Sequence, residues 1–303
     1  HHEVCTMIII NNVSLSFADQ VLFNTISGVC RTGEKIGLLG RNGSGKSTLL
    51  KLIAGQMTSD SGSIEIQKNF SIAYMPQEVV LTSEKTIYQE LIDLSQAYCA
   101  MTYKKAALEH KLSCSADESL VEEYADLLKT YNDADRARAE ESAQKILRGL
   151  GFEEERWHEP VAHLSGGWKM RLVLAKLLFS EADFYLFDEP TNHLDLPAKE
   201  WFFSFLKQSS CGYLLVTHDR HFLDYACDTL MSLENGSMRV FNGNYTAYVA
   251  AEKERRAIQE AAYTRQQKEI THKQMTIDRF RAQASKAKMA QSMMRQLEKM
   301  ERI

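Results

Sequence analysis

No stretch of this 303-residue chain approaches the roughly 18 consecutive apolar residues that a membrane-spanning helix needs. The first residues also lack the basic, apolar and small-residue succession of a secretory leader. His1-His2 reads as the remnant of a purification tag, with Met7 as a nearby natural start. The six cysteines (Cys5, Cys30, Cys99, Cys114, Cys211 and Cys227) are scattered, with no Cys-x-x-Cys pair. That spacing argues against a disulfide framework and for free thiols in a reducing compartment. The expectation is a soluble cytoplasmic protein with no membrane partner. Residues 86–148 contain neither proline nor glycine, and neither occurs after Gly243. Both stretches therefore read as helical, since nothing in them interrupts the backbone ladder. A straight helix over the last roughly 55 residues would span about 80 Å, so this tail must fold back or project.

The formal charge of −4 conceals an asymmetry. From Ala251 onward 13 basic residues face 7 acidic ones, whereas the preceding residues carry 23 basic and 33 acidic. A basic tail on an acidic body suggests a polyanionic partner at one end. A solvated helix of mixed charge is the plainer alternative.

The body reads as α/β. Met7–Ile10, Asn12–Phe17 and Val21–Phe23 alternate apolar with polar residues, as short antiparallel strands do. Ile36–Leu39, Phe184–Phe187 and Tyr213–Val216 are continuous apolar runs, as expected of parallel strands covered on both faces. Ile64–Ile66 and Ile72–Met75 are further strand candidates. After Ile36–Leu39 comes Gly40-Arg41-Asn42-Gly43-Ser44-Gly45-Lys46-Ser47-Thr48, a Gly-x4-Gly-Lys-Ser loop between a strand and an amphipathic helix. Gly43 and Gly45 let backbone N–H groups turn inward around phosphate oxygens, and the helix N-terminus adds partial positive charge. Lys46 can reach β- and γ-phosphates, and the Ser47 hydroxyl can ligate Mg²⁺. The implied ligand is ATP or another nucleoside triphosphate with Mg²⁺.

Further motifs follow in order. Gln77, after Tyr74-Met75-Pro76, offers a neutral amide oxygen to Mg²⁺. Phe184–Phe187 ends in Asp188, placed to hold the metal, and Glu189, placed to polarise an attacking water. His218, in Val216-Thr217-His218-Asp219-Arg220, can donate to a γ-phosphate and orient that water. Phe17 can stack on adenine, although a core phenylalanine is the plainer reading. Ser165, Gly166 and Gly167, before the helix Lys169–Phe179, form a second anion-binding helix N-terminus. One chain needs no second cradle for one nucleotide unless that cradle serves an opposing copy, which implies head-to-tail pairing. Pro190–Asp195 would lie along the same pairing surface.

Together, Gly40–Thr48, Gln77, Leu164–Gly167, Asp188-Glu189, Asp195 and His218 resemble the complete motif set of ATP-binding cassettes. Trp168 stands where transporter cassettes usually carry Gln. Glu189–Asp195 and Thr217–Asp224 are similar to the ABC-F family of twin-cassette ATPases without membrane domains. The resemblance implies a P-loop ABC-type domain over residues 7–244, with an antiparallel β subdomain. It assigns the helical insertion at about 86–148, at least in part, to the family's arm. Residues 245–303 are then part of the basic helical linker, so that the chain would be a first cassette cut before a second one. The resemblance further implies that the linker meets ribosome and tRNA, with Arg279, Arg281, Lys286, Lys288 and Arg295 as RNA-contact candidates. Met293-Met294 departs from the Ser-Arg of many relatives. It also implies ATP hydrolysis, weak in an isolated half unless the chain homodimerises. A nucleotide-binding subunit of a transporter and a DNA-associated ATPase remain alternatives.

Overall fold

The alternation in Met7–Phe17 builds strand β1, with Ile8, Ile10, Val13 and Leu15 buried. Its parity breaks between Ile10 and Val13, where the register against the neighbouring strand slips. Asn12 absorbs the slip at φ 46°, a left-handed value that asparagine tolerates, and its Oδ1 accepts from Ser27 Oγ at 3.1 Å. Opposite this bulge, Gly62 has φ +81°, and a Cβ there would lie 2.4 Å from the carbonyl oxygens of Asn11 and Asn12. The two short strands expected from the sequence are thus one bulged strand. The next, expected over Val21–Phe23, extends over Gln20–Arg31 (β2). With Ser61–Ile66 (β4) they form a three-stranded antiparallel sheet ordered β2-β1-β4.

The computed structural model describes residues 7–17, 20–68, 70–77, 81–95, 108, 121, 124, 134–281 and 287–298, and the chain divides into two units, His1–Tyr245 and Thr246–Ile303. The first unit's second sheet contains Lys35–Gly40 (β3), Ile72–Met75 (β5), Phe184–Asp188 (β6), Gly212–Val216 (β7), Thr229–Glu234 (β8) and Ser237–Asn242 (β9). Its order is β5-β6-β7-β3-β8-β9, parallel except for the β8–β9 pair. Every residue of β6 and β7 is buried, which is why both read as unbroken apolar runs. Strands β8 and β9 were not anticipated. Their signal was Asn235-Gly236, whose φ values of 50° and 74° suit a two-residue hairpin turn.

Helix α1 (Lys46–Ile53) contributes Leu49, Leu50, Leu52 and Ile53 to a core shared with both sheets. Of the expected insertion, the described residues include α2 (Ile87–Ile92), capped by Thr86, and α3 (Ala134–Gly149). Ser115-Ala116-Asp117-Glu118, which reads as a turn leading into a helix N-terminus, lies outside the described residues. Three more helices follow: α4 (Gly166–Phe179), α5 (Leu196–Gln208) and α6 (Arg220–Ala226). Asp195 caps α5 through Ala198 N, and Asp219 caps α6 through Phe222 N. The second unit contains α7 (Tyr245–Arg281), 37 residues and so about 55 Å long, and α8 (Ala287–Glu298). Arg255 and Arg256, one turn from Glu252, hold its carboxyl down to about 2, support that a polar helix draws from its own surface.

Helices α3 and α5 meet where Gly149 abuts Trp201, and a Cβ on Gly149 would lie 1.9 Å from the indole. Gly149→Ala is expected to lower stability by roughly 1–3 kcal/mol through overpacking. Urea unfolding checks this, and Trp201→Ala in the same chain should absorb part of the loss.

Candidate functional site

Strands β3, β5, β6 and β7 point their C-terminal ends the same way, and the sequence motifs sit just beyond those ends. At the end of β3 the chain turns sharply: a Cβ on Gly40 would meet Ser44 Oγ at 2.4 Å and Leu233 O at 2.9 Å. Gly45, at φ +96°, caps α1 with no side-chain bond, leaving the first-turn N–H groups of the helix directed into the loop. A Cβ there would strike the Phe23 ring at 2.6 Å, so the loop can close only on glycine. Lys46 Nζ donates to the carbonyls of Gly40 at 3.0 Å and Arg41 at 3.2 Å, which folds the ammonium over its own loop.

A cavity of about 460 Å³ opens beside this loop. Asn42, Gly43, Gly45, Lys46, Ser47 and Thr48 line it, joined by Gln77, Asp188, Glu189, His218 and the half-exposed Phe17. Gly40, Arg41 and Ser44, also expected to touch nucleotide, do not line it. Gly40 and Ser44 pack on each other and shape the turn from behind. Leu22, Val216 and Asn192 line the cavity without having been anticipated there. Asn192 belongs to the stretch expected on the pairing surface, and only the turn after β6 brings it back.

Asp188 is 2 % exposed and lines the cavity together with Ser47. Burial pushes its carboxyl up, while Ser47, Lys51 and Lys46 oppose that rise. Glu189 has φ +52°, a strained value for a side-chain-bearing residue, fixed by its N–H bond to Val216 O at 3.0 Å. Burial raises its pKa as well, against the nearby His218 imidazole and the His218 backbone N–H. Its Oε1 is buried 3.5 Å from His218 Nε2, in ion-pair range but without hydrogen-bond geometry. A hydroxyl, an amide oxygen and a carboxylate converge at Ser47, Gln77 and Asp188, a hard-oxygen set that fits Mg²⁺ better than a soft metal. Among the described residues no group of three or more His, Cys, Asp or Glu side chains gathers as a separate metal cluster.

The Ser165–Gly167 turn and Asp195 do not line this cavity. Ser165 and Gly166 are exposed, and a Cβ on Gly166 would meet nothing within 4 Å. Of the basic tail residues, Arg279 and Arg295 are exposed, Arg281 and Lys288 lie in α7 and α8, and Lys286 falls outside the described residues.

Models of the ABC transporter family match residues 23–192 and 231–303. The ATP-binding protein YheS of Escherichia coli strain K12 is 36% identical over 98% of this chain and 45% of its own length. ABC transporter F family member 5 of Arabidopsis thaliana is 33% identical over 96% of this chain and 43% of its own. The chain belongs to the ABC-F family of ATP-binding cassette proteins. It spans less than half the length of these relatives. A solved ATP-binding subunit of an ABC transporter superposes with a TM-score of 0.59 over 78% of this chain and 90% of that one, at 24% identity. A nucleotide-free ATP-binding cassette from an ABC transporter gives 0.54 over 79% and 92%, at 18% identity. At those identities the superpositions speak for the cassette fold alone. The fold expected from the sequence, an α/β cassette with an antiparallel sheet and helices, is the one observed.

His218 favours the ionised form of Glu189, and Asp188 disfavours it. His218→Ala is therefore expected to raise the Glu189 titration midpoint further, and Asp188→Asn to lower it. Carboxyl ¹³C NMR of this ABC-F chain reads both shifts.

Proposed function

We propose that this ABC-F chain binds ATP with Mg²⁺ in the cavity beside Gly40–Thr48 and hydrolyses it when a second cassette closes the site. The observation that carries this reading is the split between two cradles. One loop lines the cavity, while the second, Ser165–Gly167, does not, and its Ser165 and Gly166 are exposed. A solvent-facing anion-binding turn gains a role when it meets the nucleotide of an opposing cassette, whether a second domain or a second copy of this chain.

Within the site, Phe17 stacks on adenine and the amides of Gly43–Thr48 receive the phosphates. Lys46 exchanges its two carbonyl acceptors for β- and γ-phosphate oxygens, a stronger charge-assisted pairing. Ser47, Asp188 and Gln77 would hold Mg²⁺, which supplies neutralisation of phosphate charge. Glu189 accepts a proton from water as the water oxygen bonds to the γ-phosphorus. The bond from that phosphorus to the β–γ bridging oxygen breaks, giving ADP and phosphate. His218 orients the water and the γ-phosphate, and burial makes Glu189 a stronger base. Asp195 borders the opposing site.

We further propose that the protein works on the ribosome as a translation factor in the cytoplasm, with the α7–α8 segment meeting RNA. The 13 basic residues from Ala251 onward support an RNA partner, through Arg279, Arg281, Lys286, Lys288 and Arg295. The basic helical tail and Trp168, where transporter cassettes usually carry Gln, weigh against the transporter alternative. The tail could also bind DNA.

Two outcomes test the reading. ATP turnover per chain should rise with protein concentration, because each site needs a second cassette; turnover independent of concentration, at the rate of the full-length protein, would refute pairing. In the full-length protein, Glu189→Gln should trap ATP and sediment with ribosomes in a salt-sensitive manner. Enrichment on duplex DNA instead of ribosomes would overturn the ribosomal role.

A further inference from the structure

Trp168 follows the Ser165-Gly166-Gly167 turn directly and stands in the first turn of α4. Two guanidinium carbons lie over its indole, that of Arg171 at 4.4 Å and that of Arg156 at 4.5 Å. The Phe152 ring packs beside it, with centroids 4.9 Å apart and planes at 58°. Arg156 is paired in turn with Glu159, Nη2 to Oε2 at 3.2 Å. The side chain of Arg171 is only 10 % exposed and spends its fork on three acceptors. Its Nε donates to His193 O at 2.7 Å, Nη1 to Leu150 O at 3.3 Å and Nη2 to Asp195 Oδ2 at 3.1 Å. The other oxygen of Asp195 caps α5 through Ala198 N at 3.1 Å. One guanidinium thus touches the indole after the glycine turn, the backbone of the Pro190–Asp195 loop and the residue following α3.

We propose that Trp168 is a positioning residue: through Arg171 it locks the Ser165–Gly167 turn and the Pro190–Asp195 loop into one rigid unit. The physical basis is directional. A guanidinium is planar, and its N–H bonds lie in that plane, so an aromatic face stacked on it fixes the orientation in which the three bonds can form. The negative face of the indole also offsets the proximity of the two cations, Arg156 and Arg171, without neutralising either. Glutamine at position 168 offers neither a face nor a quadrupole, and Arg171 would then be free to rotate away from His193 O. The link matters for function only if Ser165–Gly167 serves an opposing nucleotide, so its consequence rests on the paired-cassette reading, whereas the link itself does not. Under that reading the two loops that border the opposing ATP approach it together, and neither can dock while the other lags.

Hydrogen exchange of this chain tests the link without requiring pairing. Trp168→Gln is expected to speed exchange at residues 165–169 and also, by about tenfold, at residues 191–195, where Asn192 N and Leu194 N are hydrogen-bonded within the loop. Trp168→Phe, which keeps an aromatic face, should restore most of the protection at 191–195. Arg171→Lys keeps the charge but loses the fork, and should loosen 191–195 as much as Trp168→Gln does. Affinity for a fluorescent ATP analogue should change less than about twofold in all three, because neither residue lines the cavity. Unchanged exchange at 191–195 in Trp168→Gln overturns the link. So does a uniform rise across every peptide in both Trp168→Gln and Arg171→Lys, which would mark a general packing role. A separate measurement, ATP-driven self-association in a Glu189→Gln background, should weaken about tenfold in Trp168→Gln. If Glu189→Gln alone fails to associate, the paired-cassette reading falls and the exchange result still decides the link.

Discussion

The burial of Asp188 against Ser47, Lys46 and Lys51 joins the two halves of the phosphate site. Ser47 stands in the first turn of α1, behind the loop after β3, and Asp188 ends β6, two strands away across β7. A carboxylate that is 2 % exposed is expensive to keep ionised, and burial is the largest influence on Asp188. Ser47, Lys46 and Lys51 hold that cost in check from the side of the loop. The arrangement therefore couples loop and strand: the groups that favour the ionised carboxylate stand on α1, and the carboxylate ends β6. The strained backbone of Glu189 follows immediately, so the same anchor fixes both carboxylates relative to Lys46.

The remaining geometry divides the chain's anion-binding turns into an inward and an outward one. The inward loop owes its shape to close packing, with Gly40 against Ser44 and Gly45 against Phe23. The outward turn has no such packing around Gly166, and its support comes from one residue further along, where Trp168 meets Arg156 and Arg171. A turn left open at its tip but braced at its base suits a surface that meets another protein surface.

The parts read correctly from sequence share a local cause. The apolar runs at β3, β6 and β7 are continuous because both faces are covered, and the glycine-rich loop signals itself because phosphate-binding backbone tolerates few alternatives. The parts misread depend on pairing partners. A bulge at Asn12 looks like a break between strands until β2 and β4 are seen to pair across it. Strands β8 and β9 carry ordinary residues, and their Asn235-Gly236 turn gains meaning only beside β3. Arg41 sits inside the loop motif yet outside the cavity, and Asn192 the reverse, because adjacency in sequence is not adjacency on the cavity wall.

By itself the sequence determined the α/β class, the phosphate-binding loop, the carboxylate pair at the end of β6 and the basic tail. Each of these is set by residue types at short spacing, which local backbone physics reads directly. Only the tertiary structure decided that Glu189 and His218 stand 3.5 Å apart, that Ser47 and Asp188 line one cavity, and that Arg171 bonds Asp195. These contacts join residues tens to more than a hundred positions apart, and no local preference fixes such distances. The first two exist because the order β5-β6-β7-β3 gathers four strand ends into one place.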